Sequence, residues 1–189
     1  CSFESVRWDP VHPNHLAKEG SSGSVGSTEE ERRQLLSGYF AAITGMDTNI
    51  GLLLDWLEAH DLRDNTLIVF TADNGMNMGH HGIWGKGNGT YPPNMYDTAV
   101  KVPTLMSRPG RVPQGVVESS LLSHYDFMPT LLEYVGLADA SPSDGERPGS
   151  SFVPILNGKS MGEARPVVVL DEYGPTRMIR TDSLKYVHR

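Results

Sequence analysis

An α/β fold is predicted for this chain of 189 residues. A long helical periodicity occupies residues 28–58, and a short apolar run follows at residues 67–72. Further short apolar runs then alternate with helical segments as far as the carboxyl end. Strands that alternate with helices indicate a sheet covered by helices, and the length suits one domain of ordinary size.

The long helix is predicted from its start signal and its period. Ser27 and Thr28 each precede a glutamate by three residues, which is the spacing of a capping box. Asp47 falls on the apolar stripe of the helix, so we expect a buried carboxylate with a structural role. The stripe runs to about Glu58 and contains Leu36, Phe40, Ile43, Ile50, Leu54 and Leu57.

A buried strand is predicted for the apolar run, and Asp73, Asn74 and Gly75 follow it directly. In open α/β sheets, ligands bind beyond the carboxyl ends of the strands. A carboxylate and an amide oxygen suit a hard cation such as Ca²⁺ or Mg²⁺. The same three residues also suit an ordinary turn, because Asn and Gly tolerate positive φ angles.

The next segment, residues 79–89, is rich in glycine and contains candidate anion-binding groups. Glycines let a backbone approach an anion closely. Lys86 offers a point charge, and His81 is a candidate for a second donor or a proton carrier. The alternative for His81 is a packing role beside Trp84, which we expect to anchor the loop. His80 is the weaker candidate.

The later elements are predicted from apolar runs and turn residues. Asp126, near the start of a helix, is expected to be a structural hydrogen-bonding residue. Gly136 is the candidate cap at the end of that helix. The expected elements are a short turn or helix from residue 95, a strand at 101–107, a helix at 123–135, a loop at 139–149, a strand at 167–170 and a hairpin at 178–187.

Taken together, residues 71–75 and 79–87 resemble the sulfatase family of the alkaline-phosphatase superfamily. The segment around Asp126 and residues 152–158 resemble later parts of the same family. The resemblance implies that Asp73 and Asn74 bind calcium and that Lys86 contacts the sulfate ester. It also implies an alkaline-phosphatase-like (sulfatase) sandwich, incomplete here, with the start of a small C-terminal antiparallel sheet.

The resemblance covers about residues 28–189 and corresponds to the carboxyl-side portion of the family. We assign no residue to the formylglycine nucleophile, because the only cysteine, Cys1, is not followed by the expected proline and arginine. The Asp-Asp pair that would complete the calcium site does not occur either. The chain alone is therefore expected to be inactive, and its partner is the missing amino-terminal half or a second copy.

Three portions follow from this comparison. Residues 1–27 form an irregular amino-terminal segment, in which His12 and His15 are more often solvated loop residues than catalysts. Residues 28–138 are the later part of the catalytic domain. Residues 139–189 connect to the C-terminal subdomain and begin it.

The net charge and the length of the apolar runs limit the kinds of partner that we expect. A net charge of −7 argues against a nucleic-acid surface. No apolar run approaches the roughly 20 residues of a membrane helix. A sulfate-ester small molecule or a sulfated glycan is the expected substrate. The family resemblance implies a periplasmic, secreted or lysosomal location, which the residues themselves leave open.

Other functions remain as alternatives. A phosphate or phosphonate ester hydrolase of the same superfamily is the first, although Asn74 stands where those members often place histidine. The second is a truncated, non-catalytic remnant that acts as a binding module. The third is an unrelated α/β binding domain with a chance Asp-Asn-Gly.

Overall fold

The computed structural model describes residues 16–17, 28–138, 148–162, 164–171 and 176–189, with side chains from residue 28 onward. Cys1, His12 and His15 lie outside the described residues. The chain divides into two compact units, Cys1–Leu105 with Arg189 and Met106–His188. The predicted division into residues 1–27, 28–138 and 139–189 rests on the family resemblance and remains a prediction.

The long helix is confirmed as α1 (Glu29–Ala59). Its start is the predicted capping box: the Thr28 hydroxyl accepts a hydrogen bond from the Glu31 amide at 3.2 Å. The Glu31 carboxylate accepts one from the Thr28 amide at 3.0 Å. The box satisfies two amides that the first helical turn leaves without partners.

The predicted burial of the α1 stripe is correct only at its ends. Leu36 and Leu57 are buried, whereas Ile43 is 40% exposed. Asp47 is exposed, so the expectation of a buried carboxylate there was wrong. Periodicity shows which residues share a helix face, but the described residues pack only against parts of that face.

Apart from α1, the first unit consists of short elements around the predicted site. The predicted strand is β2 (Ile68–Phe70), and its residues are half-buried rather than fully buried. The remaining elements of this unit are β1 (Leu16–Ala17), β3 (Asn77–Met78), β4 (Trp84–Gly85), β5 (Thr90–Tyr91) and α2 (Asp97–Val100). β3 pairs antiparallel with β4, placing Asn77 opposite Gly85. β1 pairs antiparallel with β5, placing Leu16 opposite Tyr91.

The core of this unit joins α1 to the glycine-rich loop. Leu36 and Trp84 are buried together, with Tyr39 and Phe40 from α1 packed against them. The Trp84 and Tyr39 rings meet edge to face, with 6.5 Å between their centroids. Trp84 is thus a loop anchor, as expected, because burial of its large ring ties β4 to the helix.

The second unit contains a short helix that follows a 3₁₀ turn. The boundary between the units falls within β6 (Leu105–Ser107), which is shorter than the predicted strand. A 3₁₀ turn at His124–Asp126 leads into α3 (Phe127–Tyr134). Gly136 follows α3 with φ of 78°, the left-handed conformation expected of a helix-ending glycine.

Asp126 has the structural role that was predicted for it. Only 3% of it is exposed, and its carboxylate accepts hydrogen bonds from the amides of Ser123 and Ser150, both at 2.8 Å. Arg165 lies 3.4 Å from the same carboxylate. These contacts tie the start of α3 to the chain that enters α4 (Val153–Leu156).

A three-stranded antiparallel sheet closes the second unit, as the resemblance implied. Its strands are β7 (Val167–Leu170), β8 (Arg177–Arg180) and β9 (Lys185–His188). The last two form the predicted hairpin, and the Thr181 amide donates to the Leu184 carbonyl at 2.8 Å across the turn. Side-chain burial alternates along the strands, which is the pattern of a sheet with one covered face. Within the described ranges, no helix is long and apolar enough to cross a membrane.

Candidate functional site

Asp73 and Asn74 lie in the turn that follows β2. The Asp73 carboxylate is exposed, and its Oδ1 accepts a hydrogen bond from the Asn74 amide at 2.9 Å. The Asn74 side chain donates from Nδ2 to the Gly75 carbonyl at 2.8 Å. These local bonds orient both side chains, so one carboxylate and one amide oxygen lie next to each other at the end of a strand.

Lys86 completes this group from a different part of the chain. Its Nζ donates to Asn74 Oδ1 at 3.2 Å, although the two residues belong to separate sequence motifs. Lys86 and Asp73 are both exposed, so each charge keeps much of its hydration. The structure therefore brings together three of the four predicted site residues.

Gly75 fixes the position of this turn by close packing. Its amide donates to the Ala99 carbonyl at 2.9 Å. A Cβ atom at Gly75 would lie 2.2 Å from the Thr98 carbonyl oxygen and 2.8 Å from that of Lys101. Only glycine fits here, because every one of these neighbours is backbone. The α2 segment is thus the support behind Asp73 and Asn74.

The fourth predicted residue, His81, packs against a tyrosine that the sequence analysis did not single out. Its ring stacks on Tyr96, with centroids 3.7 Å apart and an interplanar angle of 11°. Burial raises the pKa of the Tyr96 phenol above its ordinary value, against an opposing effect of the Arg189 charge. His81 has φ of 57°, which is uncommon for a residue other than glycine. His80 instead faces the backbone, and its Nδ1 accepts from the Met78 amide at 3.4 Å.

Two buried asparagines, which the sequence did not single out, hold the loop that carries Lys86. Asn77 is fully buried and Asn94 is 1% exposed. Asn94 donates to the Gly87 carbonyl at 3.1 Å, and Asn77 donates to the Gly85 carbonyl at 3.1 Å. No sequence signal distinguished them, because asparagine is common in exposed turns.

The oxygen donors suit a cation but do not complete a site. A carboxylate beside an amide oxygen is hard-cation chemistry. Across the ranges that the structure describes, no group of three or more His, Cys, Asp or Glu side chains could hold a metal ion. Asp73 and Asn74 would therefore supply only part of a cation's ligand shell.

The comparison with protein families decides which family this arrangement belongs to. The sulfatase family model matches residues 10–137. The chain belongs to the sulfatase family. The match includes Asp73, Asn74, His81 and Lys86, so the family assignment covers the whole candidate site.

Known sulfatases match almost the whole chain. An N-acetylglucosamine-6-O-sulfatase of Bacteroides thetaiotaomicron is 29% identical over 198 residues, covering 96% of this chain and 33% of that protein. A solved structure described as a complex with its substrate D-glucosamine-2-N,6-O-disulfate is 30% identical, with a TM-score of 0.73, and covers 84% of this chain and 32% of that one. This chain therefore spans about a third of the length of these sulfatases, and the predicted alkaline-phosphatase-like fold is confirmed for that part.

A neighbouring activity appears among the similar structures as well. The phosphonate monoester hydrolase of Agrobacterium radiobacter is 26% identical, with a TM-score of 0.70, and covers 85% of this chain and 34% of that one. The fold is therefore shared between sulfate-ester and phosphonate-ester hydrolases. The reaction has to be argued from the site rather than from the fold.

One serine-containing segment fits the expected nucleophile pattern only loosely. Ser107-Arg108-Pro109-Gly110-Arg111 matches the loosest form of the formylglycine segment, with serine, proline and arginine at alternate positions. Ser107 ends β6 and is exposed, and the Arg108 guanidinium donates to the Tyr134 hydroxyl at 3.5 Å. A match at three positions carries little weight, so we do not assign Ser107 as the nucleophile.

Proposed function

We propose that the protein carrying this chain hydrolyses sulfate esters, and that Asp73, Asn74, His81 and Lys86 are the part of the active site that this chain supplies. The substrate is a small sulfate ester or a sulfated sugar. Membership of the sulfatase family supports the reaction class. The substrate class is supported by a similar solved structure, which is described as a complex with a sulfated glucosamine.

The observation that carries the proposal is the contact between Lys86 Nζ and Asn74 Oδ1 at 3.2 Å. The contact puts a positive charge on the oxygen of Asn74, the residue next to the Asp73 carboxylate. A sulfate group would find both an ammonium donor and, with a bound cation, a second positive charge here.

The cation in this proposal is Ca²⁺, with Mg²⁺ as the alternative. Asp73 and Asn74 would hold it in part, because both offer oxygen at adjacent positions of one turn. When bound, such a cation supplies positive charge that polarises the oxygens of the sulfate group. Residues outside this turn complete its ligand shell.

Lys86 and His81 have separate roles. The Lys86 ammonium is proposed to donate to the sulfate oxygens, on which negative charge grows in the transition state. His81 is proposed to assist the leaving group as a proton carrier. Its stack on Tyr96 engages the face of the imidazole ring and holds the plane of that ring.

The nucleophile is not assigned to any residue of this chain. Family resemblance makes it a formylglycine. With one carboxylate and one amide for the cation and no assigned nucleophile, we expect the 189-residue chain by itself to turn over no sulfate ester. Measurable hydrolysis of 4-nitrophenyl sulfate by the purified 189-residue chain, lost in Asp73→Ala, would contradict this.

The proposed function is tested with the longest natural polypeptide that carries this sequence. 4-Nitrophenyl sulfate and glucosamine 6-sulfate are the substrates, with Ca²⁺ present. We expect Lys86→Ala to lower kcat by about 10²–10³-fold, the usual effect of losing one transition-state donor. Lys159→Ala is the matched control, since that lysine is exposed and lies in the second unit. Equal activity of Lys86→Ala and Lys159→Ala would refute the role of Lys86.

Hydrolysis of phosphonate monoesters is the second candidate, because a solved enzyme with that activity shares the fold at a TM-score of 0.70. Asn74 favours the sulfatase reading. The same polypeptide is therefore assayed with 4-nitrophenyl phenylphosphonate. A kcat/KM for the phosphonate above that for the aryl sulfate would replace the first proposal with the second.

A further inference from the structure

Asn94 is a buried polar residue whose side-chain NH₂ group contacts residues 86–90, in and beside the glycine-rich loop that carries Lys86. Its Nδ2 donates to the Gly87 carbonyl at 3.1 Å, to the Lys86 carbonyl at 3.4 Å and to the Thr90 hydroxyl at 3.3 Å. Its own amide donates to the Gly87 carbonyl at 2.9 Å. A buried amide side chain is costly unless its polar groups are paired, and here they are paired with one short stretch of backbone.

Asn77 extends this arrangement to the other side of the loop. Its Nδ2 donates to the Gly85 carbonyl at 3.1 Å and lies 3.5 Å from Asn94 Oδ1. The Thr98 hydroxyl donates to Asn77 Oδ1. Together the two asparagines contact the carbonyls of residues 85, 86 and 87, so the backbone before and after Lys86 is held.

The loop needs such a support because of its composition. Gly85 has φ of 138°, and Gly87 and Gly89 follow within four positions. Glycines lose more conformational freedom on ordering than other residues, so this backbone is not rigid by itself. The Lys86 side chain is long and exposed, and the position of its Nζ depends on where its backbone starts.

We infer that Asn94 is a positioning residue for Lys86: it holds the carbonyls of Lys86 and Gly87 so that the ammonium reaches the Asn74 oxygen. The kinetic part of this inference rests on the proposed sulfatase function. Asn94 itself is buried and touches no substrate, so it acts through Lys86 alone. Loss of its donors is expected to misplace the ammonium without removing it.

Asn94→Asp tests the inference in the longest natural polypeptide that carries this sequence. Aspartate has nearly the same shape but replaces the donor NH₂ group with an acceptor that faces two carbonyl oxygens. Asn94→Ala is the second variant, in case the carboxylate prevents folding. The matched control is Thr130→Val, which removes a fully buried hydroxyl that accepts from the Phe152 amide at 2.9 Å in the second unit.

Hydrogen exchange gives a readout that does not depend on activity. The Gly89 amide donates to the Lys86 carbonyl at 2.9 Å, so it reports on the loop directly. We expect Asn94→Asp to speed exchange in residues 85–90 by about tenfold or more while α1 exchanges as in the wild type. Unchanged exchange in residues 85–90, or equal acceleration in α1, would overturn the inference.

Kinetics then test whether Asn94 acts through Lys86. We expect Asn94→Asp to lower kcat by about 10–100-fold with little change in KM, as for a misplaced catalytic group. In a Lys86→Ala background, the same substitution should cost less than about twofold. The inference would be overturned if the double variant lost kcat by the product of the two single losses. If the wild type turns over no sulfate ester, the proposed function fails, and the exchange measurement alone decides whether Asn94 holds the loop.

Discussion

Substitution of Gly75 by alanine tests the packing behind Asp73 and Asn74. The added Cβ would lie 2.2 Å from the Thr98 carbonyl oxygen, 2.8 Å from that of Lys101 and 3.0 Å from the Ala99 carbonyl carbon. Ordinary van der Waals contact begins at 3.4 Å, so all three distances are too short. The neighbours are backbone atoms and cannot rotate away, so the α2 segment or the Asp73 turn has to move.

Two effects lower the free energy of unfolding in Gly75→Ala. Overpacking a tight site costs about 1–3 kcal/mol, and rigid backbone neighbours place Gly75→Ala at the upper end. The hydrogen bond from the Gly75 amide to the Ala99 carbonyl, now 2.9 Å, would lengthen as well, which costs about 1 kcal/mol. We therefore expect the free energy of unfolding to fall by about 3–4 kcal/mol, together with a loss of sulfate-ester hydrolysis, because Asp73 and Asn74 are displaced.

Urea denaturation of the longest natural polypeptide that carries this sequence measures this change. Gly38→Ala is the matched control: it makes the same chemical change within α1, where no described atom lies within 4 Å of the new Cβ. Alanine in a helix interior is favoured over glycine by about 0.5–1 kcal/mol, so this variant should be slightly more stable than the wild type. A Gly75→Ala protein with wild-type stability and activity would refute the argument that close packing positions the site.

Two further predictions concern buried groups. Asp126→Asn should lower the free energy of unfolding by about 1–3 kcal/mol, because an amide NH₂ group would oppose one of the amides, Ser123 or Ser150, that now donate at 2.8 Å; unchanged urea midpoints would contradict this. The pKa of Tyr96 is raised by burial, so Tyr96 adds stability that is fully present near neutral pH and is lost as the pH rises through its raised pKa. Tyr96→Phe should remove that alkaline loss in a pH series of urea midpoints, and an unchanged alkaline profile would count against it.

Local features of the fold were predictable from the residues alone. The capping box at Thr28 and the hairpin at residues 178–187 formed as expected, because both depend on neighbours a few positions away. Gly136 ended α3 in the left-handed conformation for the same reason. Asp126 was also recognised as a structural residue, although its partners at Ser150 and Arg165 were not foreseen.

Features that depend on distant partners were predicted less well. Asp47 shares a helix face with apolar residues, but it is exposed, since burial depends on what packs against the face. Packing beside Trp84 was one of two alternatives for His81, and the structure shows its ring stacked on Tyr96. The environments of Asp47 and His81 could not be predicted because a sequence pattern specifies direction along one element and not the surface that the element meets.

The candidate site also combines features that the sequence predicts with features that depend on tertiary contacts. The sequence alone determined the chemistry: a carboxylate, an amide and a lysine in motifs that resemble sulfatases, now supported by membership of that family. Only the tertiary structure decided that Lys86 reaches Asn74 at 3.2 Å and that Asn94 lies buried behind it. The physical reason is that a motif records which groups are available, whereas their positions depend on backbone contacts between segments that are separate in the chain. Those contacts include the hydrogen bonds of Asn94 and the close packing at Gly75, neither of which has a signature in the sequence.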